Sequence, residues 1–243
     1  MTATLRGAPN FRDLAGLRTR DGRTIVSGRL LRSGQLGELH EEDVARLTDW
    51  LGADICVIDL RGASERSRQI CALPHAVVHS LPIEPSVAVK LDAVLASGQS
   101  LTPAMAREFM TQAYLNFVRH AHAQVASLFT HVLDRAGRPL VVHCAAGKDR
   151  TGFMVAMLLT ALDVPRVTIL EDYLLTNQRV QARESRRYSP EIMEVLGTVR
   201  AEFLEAAFEL IDTGFGGSER YLRQAAALTP ERCARLQERL LSP

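Results

Sequence analysis

The chain has 243 residues, a length that a single α/β domain often reaches, and its 29 basic and 28 acidic residues give a formal net charge of +1. This balance excludes a global attraction to nucleic acid or to an acidic membrane, so we expect no nucleic-acid partner and only local anion sites. The four cysteines form no CxxC pair, which excludes the common zinc and disulfide frameworks, so no metal is expected.

Neither an export signal nor a long apolar span is present in the sequence. Residues 1–14 lack a charged start followed by an apolar run and a cleavage site, and no later segment has about 18 consecutive apolar residues. We therefore expect no transmembrane segment and a cytoplasmic location, or secretion by a non-classical route. Because no linker and no repeat divides the chain, a single domain is expected over 1–243.

Strands and helices alternate in the predicted first half of the chain. An extended segment is predicted at 23–32 (RTIVSGRLLR), followed by a helix at 40–52, where early acids and helical spacing end at a glycine. The next strand is predicted at 53–61 (ADICVIDLR), a β-branched run that ends in polar residues. In parallel sheets such carboxyl ends border ligand sites. A further strand is predicted at 76–81.

Residues 82–116 mix prolines, a Gly-Ser break and helical patches, a pattern that predicts an inserted helical lid. A helix is expected at 117–135. The clearest strand is predicted at 138–144 (RPLVVHC), and a glycine-containing loop connects it to an apolar helix at 151–164. The remaining residues, 164–243, have helical patterns. The predicted fold class is α/β: a mostly parallel central sheet flanked by helices, with a helical insertion and a helical carboxyl-terminal part.

The loop after the clearest strand carries the most specific motif. Residues 143–152 read HCAAGKDRTG and match the pattern HCx5R[ST]. A phosphate monoester needs a nucleophile and a cradle for three equatorial oxygens, and a loop of backbone N–H groups closed by an arginine supplies such a cradle. The helix that follows directs the positive end of its dipole at the loop. The motif therefore predicts a phosphate-binding loop from Cys144 to Arg150.

Each residue type in this loop suits one role in phosphate chemistry. Cys144 is the predicted nucleophile, because thiols at helix amino termini among cations ionise readily. Arg150 is predicted to clamp two phosphate oxygens, which a lysine could attract only as a point charge. Thr151 is expected to hydrogen-bond the sulfur, and His143 to order the loop.

The remaining loop residues are predicted to contact the substrate. Gly147 is expected to allow a backbone turn or a close approach of phosphate, which a side chain would obstruct. Lys148 is expected to contact a substrate anion, although loop lysines are usually just solvated. Predicted substrate-binding residues are Ala145, Ala146, Gly147, Lys148, Thr151 and Arg61.

Two aspartates are candidates for the general acid that delivers a proton to the leaving oxygen. Asp149 lies inside the loop and is the preferred candidate. Asp59 ends a predicted strand that should border the same crevice, but with Arg61 it is equally consistent with a structural ion pair. Asp13, Asp172 and Arg12 are interpreted as surface or scaffold residues.

The sequence resembles the atypical bacterial protein tyrosine phosphatases whose loop reads HCxAGKDRTG, also called the bacterial tyrosine-phosphatase B or tyrosine/serine phosphatase class. The resemblance implies a metal-independent, cofactor-free cysteine phosphatase acting on phosphotyrosine, often on phosphoserine or phosphothreonine, and in some members on phosphoinositides. Its partners would be phosphorylated proteins or peptides. The resemblance also favours Asp149 as the acid. The motifs that carry it, besides the loop, are NFRDLAG (10–16), GRLLRSGQL (28–36), VIDLR (57–61), EDYLLTN (171–177) and GGSERYL (216–222).

Two other functions use related loops. A catalytically weak module could bind phosphate to scaffold phosphorylated partners, but it would not need the nucleophile Cys144. A sulfur-transferring or arsenate-reducing enzyme would be expected to have a nearby resolving cysteine, and Cys71 could serve only if the fold brings it close.

Overall fold

The central feature of the computed structural model is a sheet of five strands, formed within the residues that the structure describes, 5–134, 137–180 and 185–243. The strands are β1 (Arg12–Asp13), β2 (Leu30–Ser33), β3 (Cys56–Asp59), β4 (Val77–Ser80) and β5 (Leu140–His143). Their spatial order is β1-β2-β5-β3-β4, and β1 pairs antiparallel with β2 whereas the other neighbours pair in parallel.

The three inner strands are buried along their whole length, as expected for parallel strands with both faces covered by helices. The register pairs His143 at the end of β5 with Ser33 of β2 and with Asp59 of β3. The polar carboxyl ends of these strands therefore meet at one edge of the sheet, and the predicted phosphate loop starts there.

Helices surround this sheet. Their bounds are α1 Glu41–Leu51, α2 Ala63–Arg68, α3 Val87–Ala96, α4 Pro103–His120, α5 His122–Asp134, α6 Asp149–Ala161, α7 Arg166–Leu174, α8 Thr176–Arg179, α9 Pro190–Gly197, α10 Ala201–Gly214, α11 Ser218–Ala226 and α12 Pro230–Leu240. Among these helices, none combines the length and the apolar character needed to cross a membrane.

Helix α6 is the centre of the core, and its sequence explains why. Its residues are apolar nearly all round, and almost all of them are buried, which is the pattern of a helix without a solvent face. The ring of Phe153 on α6 lies 5.6 Å from that of Phe117 on α4. This packing fixes the first turn of α6, and with it the end of the loop.

The structure confirms most of the predicted elements and corrects two boundaries. The predicted helix at 40–52 and the strands at 53–61, 76–81 and 138–144 contain α1, β3, β4 and β5. The extended segment is shorter than predicted, since β2 covers Leu30–Ser33.

The single helix predicted at 117–135 is two helices in the structure: its first residues end α4, which begins at Pro103, and a second helix, α5, begins at His122. Residue 135 lies outside the described residues. Pro103 occupies the first turn of α4, and the Thr102 hydroxyl accepts a hydrogen bond from the Met105 N–H, so a strong start signal lies inside the predicted insertion. The buried face of α4, from Ala106 onward, is part of the core. Within the predicted lid at 82–116, α3 is the helix that precedes this core segment.

Candidate active site

The predicted loop connects β5 directly to α6. Cys144 follows the last residue of β5 and is 2% exposed, and α6 begins at Asp149. Gly147 has a φ of +67°, and a Cβ there would lie 2.4 Å from the carbonyl oxygen of Ser33. The obstruction that glycine avoids is thus the backbone of the neighbouring strand β2, and the loop turns tightly beneath it.

Arg150 is held by a carboxylate that the sequence did not single out. Its Nη1 and Nη2 donate to Oε2 and Oε1 of Glu65 at 2.6 and 2.8 Å, a two-pronged ion pair. Nη1 also donates to the carbonyl of Ile83 at 3.1 Å. Burial lowers the pKa of the Arg150 guanidinium, but Glu65 and the Cys144 sulfur together raise it above its ordinary value. The guanidinium is therefore both charged and fixed in orientation.

Glu65 itself is positioned by the start of α2. Its carboxylate accepts a hydrogen bond from the N–H of Gly62 at 2.9 Å, as in a capping box. The spacing of Gly62 and Glu65 after a predicted strand could have signalled a helix start. It does not signal a contact with Arg150, which lies 85 positions away in sequence.

Asp59 and Arg61 form a buried ion pair. Arg61 Nη2 donates to Asp59 Oδ2 at 2.8 Å, Nε donates to Oδ1 at 3.0 Å, and the Arg61 backbone N–H donates to Oδ1 at 2.9 Å. Burial raises the pKa of the Asp59 carboxyl, but Arg61 and the nearby His143 bring it below its ordinary value. This geometry favours the structural ion pair over an acid or a substrate contact.

Asp149 lies in the first turn of α6 and contacts Tyr114, one of a pair of buried tyrosines. Its Oδ1 accepts a hydrogen bond from the Tyr114 hydroxyl at 3.0 Å, and that hydroxyl lies 2.6 Å from the hydroxyl of Tyr173. Burial, and after it the charge of Asp149, raises the pKa of both phenols well above the ordinary value. Tyr114 is therefore a neutral donor that orients the carboxyl group of Asp149, and Tyr173 donates to the Tyr114 hydroxyl. Sequence patterns did not indicate this contact, because α4 and α7 bring the tyrosines from distant segments.

Lys148 is directed at a helix end. Its side chain is buried, and Nζ donates to the carbonyl of Leu196 at 2.5 Å, in the last turn of α9. A cation is favourable at the carboxyl end of a helix because it complements the dipole.

Ala145 and Ala146 are half-buried, and the Ala145 carbonyl accepts a hydrogen bond from the N–H of Gln35 at 2.9 Å.

Thr151 and His143 flank the loop in buried positions. Within the described ranges the Thr151 hydroxyl has no hydrogen-bond partner, so the predicted bond to the Cys144 sulfur is not made in this arrangement. His143 Nδ1 lies 3.2 Å from the Cys144 carbonyl, and burial lowers the pKa of its ring to about 4. A neutral ring must donate from Nδ1 to that carbonyl, so His143 orders the start of the loop.

A polar cluster lies against the carbonyl of Gly147. That oxygen accepts hydrogen bonds from Asn10 Nδ2 at 2.6 Å and from Arg32 Nη2 at 2.9 Å. Arg32 and Arg12 both pair with Asp172, at 2.6 and 2.8 Å. Arg12 and Asp172 are thus scaffold residues, as interpreted from the sequence, and their scaffold supports the loop.

No group of three or more His, Cys, Asp or Glu side chains able to hold a metal ion occurs among the described residues.

Comparison with known proteins gives a consistent match. A family model described as the tyrosine phosphatase family matches residues 3–242. A tyrosine-protein phosphatase of Cupriavidus necator is 36% identical over 227 residues, covering 89% of this chain and 81% of the relative. The triple specificity protein phosphatase PtpB of Mycobacterium tuberculosis is 34% identical over 264 residues, covering 91% of this chain and 92% of the relative. Among solved structures, the catalytic core of the PP-IP phosphatase SIW14 from S. cerevisiae is 14% identical to this chain, with a TM-score of 0.37. The match covers 85% of this chain and 95% of the SIW14 core.

Proposed function

Since the chain belongs to the tyrosine phosphatase family and is a cysteine-dependent phosphatase, we propose that Cys144 is its nucleophile and that phosphorylated proteins or peptides are its substrates. The observation that carries this proposal is the loop from Cys144 to Arg150, which joins a buried parallel strand to the amino terminus of α6. Such a loop offers backbone N–H groups, a helix dipole and one guanidinium to the three equatorial oxygens of a phosphate ester.

The proposed reaction has two steps on the same cysteine. The Cys144 thiolate attacks phosphorus, the bond to the ester oxygen breaks, and Asp149 gives that oxygen a proton. A water molecule then attacks the phosphocysteine and loses a proton to Asp149, which releases inorganic phosphate and restores the thiolate. Arg150 binds two of the transferred oxygens through both steps and stabilises their charge.

Asp149 is the proposed acid because of how the two candidate carboxyl groups are held. Arg61 binds both oxygens of Asp59 and keeps it ionised at neutral pH, so Asp59 has no proton to deliver. Asp149 is contacted at Oδ1 by the neutral donor Tyr114, which orients the carboxyl group without pairing it with an opposite charge. Asp149 also belongs to the segment from Cys144 to Arg150 that is proposed to bind the phosphate.

Replacing the two aspartates by asparagine should separate these roles. Asp149→Asn is expected to slow a phosphoserine peptide at least about tenfold more than p-nitrophenyl phosphate, whose phenolate leaves with little help from an acid. Asp59→Asn is expected to lower both rates in the same proportion through loss of folded protein, because it leaves Arg61 buried without its partner. The ratio of the two rates does not depend on the amount of folded enzyme. A ratio that changes in Asp59→Asn and not in Asp149→Asn would assign the acid to Asp59.

The proposed substrate range is phosphotyrosine together with phosphoserine and phosphothreonine, and phosphoinositides as a second class. The likeness to a triple specificity phosphatase over most of both chains supports more than one kind of phosphate ester. Lys148 is the residue that we propose for a second anionic group on the substrate. To bind it, the ammonium group would exchange the Leu196 carbonyl for that anion.

Purified protein should turn over p-nitrophenyl phosphate in a buffer that contains EDTA, and vanadate should inhibit it as an analogue of the transition state. A panel of phosphotyrosine, phosphoserine and phosphoinositide substrates in the same buffer then ranks the substrate classes. The alternative function, a phosphate-binding scaffold module, predicts binding of phosphopeptides without turnover. Activity lost in EDTA and restored by added metal would contradict the metal-free mechanism.

A further inference from the structure

We propose that Asn10 and Arg32 are positioning residues that hold the peptide between Gly147 and Lys148 with its N–H directed into the phosphate loop. This inference rests on the proposed phosphate site and assigns a role to residues outside the loop. Both side chains are buried and donate to the Gly147 carbonyl, at 2.6 Å from Asn10 and 2.9 Å from Arg32. They reach the loop from across 137 and 115 sequence positions respectively.

The orientation of the N–H follows from the planarity of the peptide. The described residues contain no cis peptide bond, so the Lys148 N–H points opposite to the Gly147 carbonyl. Two donors on the carbonyl therefore direct the N–H away from the cluster and toward the loop. They also polarise the peptide, which makes the N–H a stronger donor to an anion.

Gly147 is the place where the loop most needs such a restraint. With a φ of +67° and no Cβ of its own, it has more backbone conformations open to it than any other residue type. If this peptide turned over, its carbonyl oxygen would face the phosphate oxygens and repel them. Two hydrogen bonds to the carbonyl oppose that rotation.

The amide of Asn10 is itself fixed by the cluster. Its Oδ1 accepts a hydrogen bond from Arg12 Nη1, and this contact leaves Nδ2 to face the Gly147 carbonyl. Arg12 Nη2 in turn donates to the Asp172 carbonyl at 2.8 Å. Asn10 has a φ of +61°, a conformation that Asn, Asp and Gly tolerate best, so the backbone here also suits the residue.

The charge of the cluster suits an anion in the loop. Burial, and after it the charge of Arg32, lowers the pKa of Arg12 to about 10, so Arg12 is still a cation at neutral pH. Burial raises the pKa of Asp172, but the two arginines bring it below its ordinary value. Two guanidinium groups thus share one carboxylate beneath the loop, and a bound phosphate would compensate the excess positive charge.

Two substitutions at position 10 distinguish positioning from packing. Asn10→Asp keeps the shape, the tolerated backbone conformation and an acceptor for Arg12, but it replaces the donor to Gly147 by an oxygen that repels the carbonyl. Asn10→Gly keeps the backbone conformation and removes the side chain, so it loses the donor without adding repulsion. Asn177→Asp is the matched control, because Asn177 Nδ2 donates to the Val199 carbonyl at 2.8 Å and not to a carbonyl of the loop.

We expect Asn10→Asp to lower kcat/KM for p-nitrophenyl phosphate and to weaken vanadate inhibition, each by about tenfold to a hundredfold, with the urea midpoint little changed. Asn10→Gly, which removes the donor without adding a charge to the cluster, should also lower kcat/KM, but less than Asn10→Asp, and Asn177→Asp should keep wild-type kinetics. A role in packing alone predicts the reverse order, with Asn10→Gly the worse and the losses following the urea midpoint. That order, or wild-type kinetics in either Asn10 variant, would overturn the inference. If the wild-type protein itself failed to turn over the substrate, the proposed function would fail instead.

Discussion

Replacing Cys144 with serine is expected to lower the turnover of p-nitrophenyl phosphate by about a thousandfold or more, while a phosphotyrosine peptide still binds. A serine hydroxyl at the same place is not ionised near neutral pH and is a far weaker nucleophile than a thiolate. The loop, the amino terminus of α6 and the pair of Arg150 with Glu65 are unchanged by the substitution, so the anion site is retained. Steady-state kinetics and peptide binding by calorimetry measure the two effects separately.

Cys71→Ser provides the same chemical change at a second cysteine. Cys71 is half-buried, and burial raises the pKa of its thiol, so it is poorly suited to act as a nucleophile. We expect this variant to keep wild-type turnover. If Cys71→Ser also abolished activity, a two-cysteine reaction of the reductase type would be favoured over phosphoester hydrolysis. Residual turnover above a small fraction in Cys144→Ser would contradict the covalent mechanism.

The sequence predicted the loop because its residues are contiguous. Cys144 directly follows β5 and Arg150 lies in the first turn of α6, and the periodicity on either side predicts both elements. The partners of the loop could not be predicted in this way. Glu65 is 85 positions from Arg150, and Asn10 is 137 positions from Gly147, so these contacts depend on the order of strands in the sheet. A local pattern contains no information about which strands become neighbours.

The direction in which polar side chains point was the second feature that the sequence could not predict. Lys148 was expected to face a substrate anion, but its Nζ contacts the carboxyl end of α9. A long flexible side chain can reach several acceptors, and the packing around it selects one of them. For Asp59 the sequence left an acid and an ion pair as alternatives. Its two-residue separation from Arg61 permits both, and burial of the two side chains together favours the ion pair.

Arg150→Lys is expected to lower kcat/KM by about a hundredfold or more, although the charge is kept. The Glu65 carboxylate binds the Nη1–Nη2 edge of the guanidinium at 2.6 and 2.8 Å. The parallel donors that can bind two phosphate oxygens are therefore Nε–H and the second N–H of Nη2, an arrangement that a lysine does not have. Because these contacts strengthen as charge develops on the transferred phosphoryl group, kcat should fall and vanadate inhibition should weaken together. Kinetics with p-nitrophenyl phosphate and vanadate titration measure both.

Arg166→Lys is the matched control for this substitution. Arg166 also makes a two-pronged ion pair, to Asp212 at 2.7 and 3.1 Å, but on the surface at the start of α7 and away from the loop. It should keep wild-type kinetics, since exposed pairs contribute little and none of its atoms faces the phosphate site. Near-normal kinetics in Arg150→Lys would remove the guanidinium from the reaction. Equal losses in both variants would show that the effect comes from replacing any paired arginine and not from the loop.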